Sequence, residues 1–214
     1  MVNIIGAKNS IFNQFMSQLR NAEVQKDSMR FRRNLERIGE IMAYEISKQL
    51  TYETKDVITP MGVASMNLLS EKPVLATVLR AGLPLHQGLL NYFDDADNAF
   101  ISAYRKHHKD NTFEVKVDYL ATPTLTGRTL ILSDPMLATG TSMVLSYQAL
   151  ITRGMPAHIH IVSVVASMEG LAYVKRYLPK NVTFWLGAVD EELTVQSFIV
   201  PGLGDAGDLA FGTK

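Results

Sequence analysis

The chain of 214 residues contains no cysteine. Disulfides, thiolate nucleophiles and cysteine-ligated metals are therefore excluded. It carries no excess of either charge, with 21 Lys+Arg against 21 Asp+Glu. Nothing global draws it to nucleic acid or to an acidic membrane surface. An anion site would have to be local, made by a few arginines or by backbone amides. No apolar run reaches the ~20 residues that span a bilayer. The opening MVNIIGAKNS lacks the basic stretch, apolar run and cleavage site of a signal peptide. There is no long linker, low-complexity tract or internal repeat. These absences read as a cytoplasmic protein without membrane or nucleic-acid partners.

What is present is a core. Hydrophobic residues make up 47% of the chain, enough for a single α/β domain over 1–214. An N-terminal helical segment is expected at about 10–50. Within it Phe31, Leu35, Ile38, Met42, Ile46 and Leu50 recur at steps of three and four, which places them on one helical face. Such a face serves equally for the chain's own sheet or for a neighbouring subunit. Gly39 lowers helical propensity there. VLATVL (74–79) predicts a buried strand that ends at Arg80-Ala81-Gly82, with Pro84 in the first turn of a helix to about Leu90. A hairpin arm is expected at about 98–120. Phe113, Val115, Val117 and Tyr119 alternate with polar residues, and Arg105 to Asn111 forms its tip.

TLILS (129–133) predicts a further strand, followed by DPMLATGTS and a helix from about Ser142 to Thr152. A strand at 158–165, a helix at 168–178 and a strand at 182–187 complete an alternation. That order predicts a mostly parallel sheet with helices on both faces. The tail PGLGDAGDLAFGTK holds four glycines, at 202, 204, 207 and 212, and reads as a shaped, non-helical loop.

Asp134 to Ser142 is where chemistry is expected. In an open α/β sheet, ligands bind at the carboxyl ends of strands. Small and hydroxyl residues opening a helix leave free amides, which with the helix dipole cradle a phosphate. Asp134 at the strand end would repel a phosphate but can accept from sugar hydroxyls. The same residues also suit an ordinary capped turn. The segment is neither the G-x-x-x-x-G-K-[ST] nucleotide loop nor G-x-G-x-x-G.

The strand and DPMLATGTS resemble the signature by which type I phosphoribosyltransferases bind phosphoribosyl pyrophosphate (PRPP). FRRNLERIGEIMAYE (31–45), VLRAGLPLHQGLL (78–90), DNAFISAYRKHHK (97–109) and PGLGDAGDLAFGTK (201–214) resemble the uracil-specific family in that family's order. The tail is what narrows the base to uracil. Two positions depart from the pattern: Thr141 stands where a second glycine is usual, and Leu209-Ala210 where Arg-Leu is usual. The resemblance implies the type I fold with the hairpin arm, and a C-terminal base-binding hood at about 190–214. It implies transfer of phosphoribosyl to N1 of uracil, with release of pyrophosphate.

By that resemblance PRPP is held by Arg80, Arg105, Asp205 and the loop Asp134, Pro135, Met136, Leu137, Ala138, Thr139, Gly140, Thr141 and Ser142. Arg80, Arg105, Asp134 and Asp205 would serve catalysis. Guanidinium groups suit the pyrophosphate because they give paired charge-assisted hydrogen bonds. Uracil would lie against Ile199, Gly204, Asp205 and Ala206, read by main-chain groups. Mg2+ would enter with PRPP, near Asp205, without a protein cage of its own. A homodimer or homotetramer is usual in the family, and GTP is an effector of some members. The acceptor of the uracil N1 proton stays open between Asp205 and a pre-formed anion. Three other readings stand: a purine or orotate phosphoribosyltransferase, a regulatory relative that binds RNA, and a plain α/β protein with well-capped turns.

Overall fold

The computed structural model describes residues 1–107 and 113–213; for 103–107 and 113–117 it describes the backbone alone. In chain order the elements are β1 (Val2–Ile4), α1 (Ile11–Arg20), α2 (Ser28–Ser47), β2 (Tyr52–Thr59), β3 (Gly62–Leu69), β4 (Val74–Leu79), α3 (Gly82–Leu90), β5 (Asp97–His107) and β6 (Phe113–Ala121). There follow β7 (Thr129–Ser133), β8 (Met136–Leu137), α4 (Thr141–Leu150), β9 (His158–Ser167), α5 (Met168–Tyr177), β10 (Val182–Asp190), β11 (Glu192–Leu193), β12 (Ile199–Val200) and α6 (Ala206–Phe211).

The main sheet runs β1-β10-β9-β7-β4-β5-β6, with β8 attached to β9. Every pairing is parallel except β5 with β6, which forms the expected antiparallel arm. The central strands are apolar on both faces because both are covered. On one face Phe31, Leu35, Ile38, Met42 and Ile46 of α2 join α1, α3 and Trp185. On the other, Met143, Val144, Tyr147 and Leu150 of α4 pack with Val174 of α5.

The apolar stripe of α2 is thus taken up by the chain's own core. Burying each of those side chains is worth about 1.5–3 kcal/mol relative to exposure. The helix starts earlier than the stripe predicts, because the Asp27 side chain caps it by accepting from the Arg30 amide. It stops at Ser47, leaving Leu50 outside. Gly39 has a packing role that propensity hides: a Cβ there would meet the Leu85 carbonyl oxygen at 2.4 Å, so α2 and α3 cross backbone to backbone.

The edge strand β1 and the hairpin β2–β3 carry no strong sequence signal. β2 and β3 pair only with each other, as a separate ribbon beside the main sheet. The tail differs from expectation. It contains the short helix α6, begun by Asp205, whose Oδ1 accepts from the amides of Gly207 and Asp208 at 2.8 and 3.0 Å. Glycine content disguised a helix that is only six residues long.

Candidate active site

The loop after β7 is shaped by its neighbours. The Pro135 carbonyl accepts from the amides of Val164 and Val165. Met136 and Leu137 pair with Val165 and Ala166 of β9. Ser167, the cap of α5, donates to the Ala138 carbonyl and accepts from the Gly170 amide. Gly140 then turns the chain with φ 79°, and α4 begins at Thr141 without a side-chain cap. The positive φ falls on Gly140 and not on its neighbour, so Thr141 sits in ordinary helical backbone and the departure there brings no strain.

Of the amides from Thr139 to Ser142, only that of Thr141 meets a protein acceptor among the described residues, the Thr139 hydroxyl at 3.4 Å. The helix N-terminus therefore still offers donors to an anion. A cavity of about 30 Å³ lies inside the loop, lined by Asp134, Met136 to Gly140, Ser142 and Met143.

Asp134 lies at the mouth of this loop, partly accessible to solvent but sunk among protein groups. Burial pushes its carboxyl up to about 7 from 3.8, against the weaker lowering effect of the Met136 amide, 3.3 Å away. A carboxyl so placed is poised to gain from hydroxyl donors that a sugar would bring.

Arg80 follows β4, the strand next to β7. Thr77 is in register with Ser133, so Arg80 and Asp134 leave the sheet at the same end. Its Nη2 donates to Asp208 Oδ1 at 3.2 Å and to the Gly212 carbonyl at 3.3 Å, while its buried Nε has no partner among the described residues. The guanidinium thus lies against the tail, just after the strand next to the one that feeds the phosphate-type loop. Arg105 lies in β5 opposite Val115, beyond the end of β4, so its backbone emerges on this side too. Its side chain, and residues 108–112 with the rest of the basic tip, fall outside the described residues.

In the tail, Ile199 points into the core and Ala206 is buried, whereas Gly204 and Asp205 are exposed. Gly204 has φ 87°, and a Cβ there would lie 3.5 Å from Leu209. Leu209 thus fills space beside the glycine. Ala210 is fully buried, and its carbonyl accepts from Arg32 Nη1 at 2.6 Å, with the Arg32 guanidinium also over the Phe211 ring. The structure brings Arg80, the 134–142 loop and the tail to one end of the sheet.

Four residues here escaped the sequence reading: Arg20, Arg32, Asp190 and Asp208. Asp190 had a signal, since it ends an apolar strand as Asp134 almost does. The arginines lie on amphipathic helices where any surface arginine would look the same.

Among solved structures, the AQ2163 protein from Aquifex aeolicus is similar over 100% of this chain and 99% of its own, with TM-score 0.88 and 28% identity. A uracil phosphoribosyltransferase of Porphyromonas gingivalis is 52% identical over 210 residues, covering 98% of this chain and 97% of that protein. One from Methanothermobacter thermautotrophicus is 38% identical over 188 residues, covering 87% and 85%. The molecule is an enzyme of the phosphoribosyltransferase type, with the type I fold. The family model for uracil phosphoribosyltransferase matches residues 7–213, and the chain belongs to that family.

Proposed function

We propose that the enzyme transfers the 5-phosphoribosyl group of PRPP to N1 of uracil, giving UMP and pyrophosphate in pyrimidine salvage. The observation that carries this reading is Arg80, which touches the tail while rising from the strand beside the phosphate-type loop. One guanidinium there can bridge the leaving group and the closing tail.

In this reading the free amides at Thr139, Gly140 and Ser142 receive the 5′-phosphate and Asp134 accepts from the ribose hydroxyls. Arg80 and Arg105 hold the pyrophosphate. The C1–N1 bond forms as the C1–O bond to pyrophosphate breaks; the electron pair leaves with pyrophosphate, and the N1 proton passes to the Asp205 carboxylate or has already gone to solvent from a pre-formed uracil anion. Positive charge on the ribose ring and negative charge on the leaving group are what the site must stabilise. The exposed backbone at Gly204 and Asp205 faces the base. Backbone donors and acceptors suit uracil, and a donor aimed at O4 would meet the amine of cytosine instead. That mismatch costs about 1–3 kcal/mol.

Among the described residues no group of three or more His, Asp or Glu forms a metal cage. The donor set fits Mg2+ that arrives on substrate oxygens, with Asp205 as the nearby carboxylate, since this ion usually takes only one or two protein carboxylates. When bound, it would neutralise charge on the pyrophosphate.

The reading includes GTP as an effector, cytoplasmic location and a homodimer or homotetramer. No helix among the described residues is long and apolar enough to cross a membrane. The ribbon β2–β3 favours self-association. Ile58, Met61 and Val63 at its tip are 87%, 96% and 68% exposed, and a lone two-stranded ribbon is marginal in water without a cover. Sedimentation should give a dimer or larger that Ile58→Glu with Val63→Glu dissociates; a wild-type monomer would reject this part.

The test of the reaction is a mixture of protein, uracil, PRPP and Mg2+, with and without GTP. UMP and pyrophosphate should appear in equal amounts. RNA retention without turnover would decide for a regulator instead.

A further inference from the structure

The turn at the start of the tail meets an ion pair made by two distant elements. Asp190 ends β10 and is only 8% exposed; Arg20 ends α1 and is 25% exposed. Their contact is a two-pronged fork, Arg20 Nη1 to Asp190 Oδ2 and Nη2 to Oδ1, both at 2.8 Å. Both partners also reach Gly202. The Gly202 amide donates to Asp190 Oδ2 at 2.9 Å, and its carbonyl accepts from Arg20 Nη1 at 2.9 Å. Both backbone polar groups of one buried residue are thus bound by the same pair.

Gly202 lies between Ile199 and Gly204, in the middle of the stretch to which the base is assigned. Its φ is 55°, and a Cβ would meet the Ile199 carbonyl oxygen at 2.1 Å, so the turn closes only on glycine. Among the described residues, Arg20 and Asp190 are the only side chains that hydrogen-bond the backbone of 199–204.

We propose that Arg20 and Asp190 are a positioning pair for the uracil site: by gripping Gly202 at both its polar groups they set where the Gly204–Ala206 backbone meets the base. The inference rests on the base lying along 199–206. Among the described residues neither side chain hydrogen-bonds the phosphate loop, so the effect is expected on the base first. Charge supports the geometry. Burial tends to raise the Asp190 carboxyl, but the hydrogen bonds from Arg20 and the Gly202 amide outweigh it and hold the group below its ordinary value. The pair is therefore ionised when the tail is seated.

The experiment measures UMP formation by wild type, Asp190→Asn and Arg20→Lys, with uracil and PRPP varied in turn. Asp190→Asn keeps the shape but turns an acceptor into a donor toward either Arg20 or the Gly202 amide. Arg20→Lys keeps the charge and loses the fork. The KM for uracil should rise ~10-fold or more in Asp190→Asn and by a smaller factor in Arg20→Lys, with the KM for PRPP within ~2-fold of wild type. That split is the readout, because a general loosening of the fold would move both constants. If Asp190→Asn does not fold, Arg20→Lys, altered at a helix end that is 25% exposed, decides alone. An unchanged uracil KM in the folded variants, or both KM values rising together, overturns the positioning pair. A wild-type enzyme that makes no UMP overturns the base-site reading and this inference with it.

Discussion

The two halves of the site are held in opposite ways. The loop 134–142 is fixed by what lies beside it: parallel pairing with β9, the Ser167 cap and the helix it opens. The tail from 199 to 212 is fixed from a distance, by Arg20 on α1, Arg32 on α2, Arg80 after β4 and Asp190 on β10. A loop fixed in this way keeps its amides in place whether or not an anion is present, as the proposed phosphate cradle requires. The tail also sinks Ile199, Leu203, Ala206 and Ala210 into the core, so its charged anchors set the course of the exposed turns between those buried points. Mutations in the first half should therefore show in stability, and mutations at the anchors of the second in affinity for the base.

The largest expected effect is Gly140→Ala. The positive φ disfavours any Cβ, which would also meet the Gly170 carbonyl oxygen and Val174, each at 2.7 Å. A loss of about 2–4 kcal/mol in chemical denaturation is expected. A wild-type midpoint would mean that the loop is not set by its neighbours.

Asp134→Asn should act the other way on stability. The folded carboxyl titrates near 7, above its ordinary 3.8. The stability that this shift contributes is present below about 3.8 and is lost as pH rises through about 7. Above pH 7 the buried charge is a net cost, so the asparagine variant should melt roughly 5 °C higher there while binding PRPP more weakly. The same titration predicts that the wild-type KM for PRPP rises as pH falls below about 7, and that this inflection is missing in the variant. Equal melting temperatures at pH 8 would remove the buried-charge argument.

The smallest effect belongs to Arg32→Ala. It loses the bond to the Ala210 carbonyl and the contact over Phe211, both partly exposed. We expect about 1 kcal/mol or less in global stability and a several-fold rise in the KM for uracil, weaker than at Asp190. A change in the PRPP constant instead would erase the distinction between the halves.

The same division decided what could be read from sequence. TLILS followed by DPMLATGTS is a contiguous strand, loop and helix opening, so periodicity and small residues placed it within one residue. The stripe on α2 gave its buried face as directly. The ribbon β2–β3 was missed because both its faces are exposed, so no alternation of apolar and polar residues marks it. The helix α6 was missed because glycines outweigh one capping aspartate in a six-residue element. Arg20 and Asp190 stand 170 residues apart, and no local pattern announces a contact made only by folding.

The central claim, that a backbone reader on the tail selects the base opposite a phosphate cradle, is tested most directly by pyrophosphate release with uracil and with cytosine at equal concentration. The account predicts that uracil turns over ~10-fold or more faster in kcat/KM. Equal rates for the two bases would contradict it.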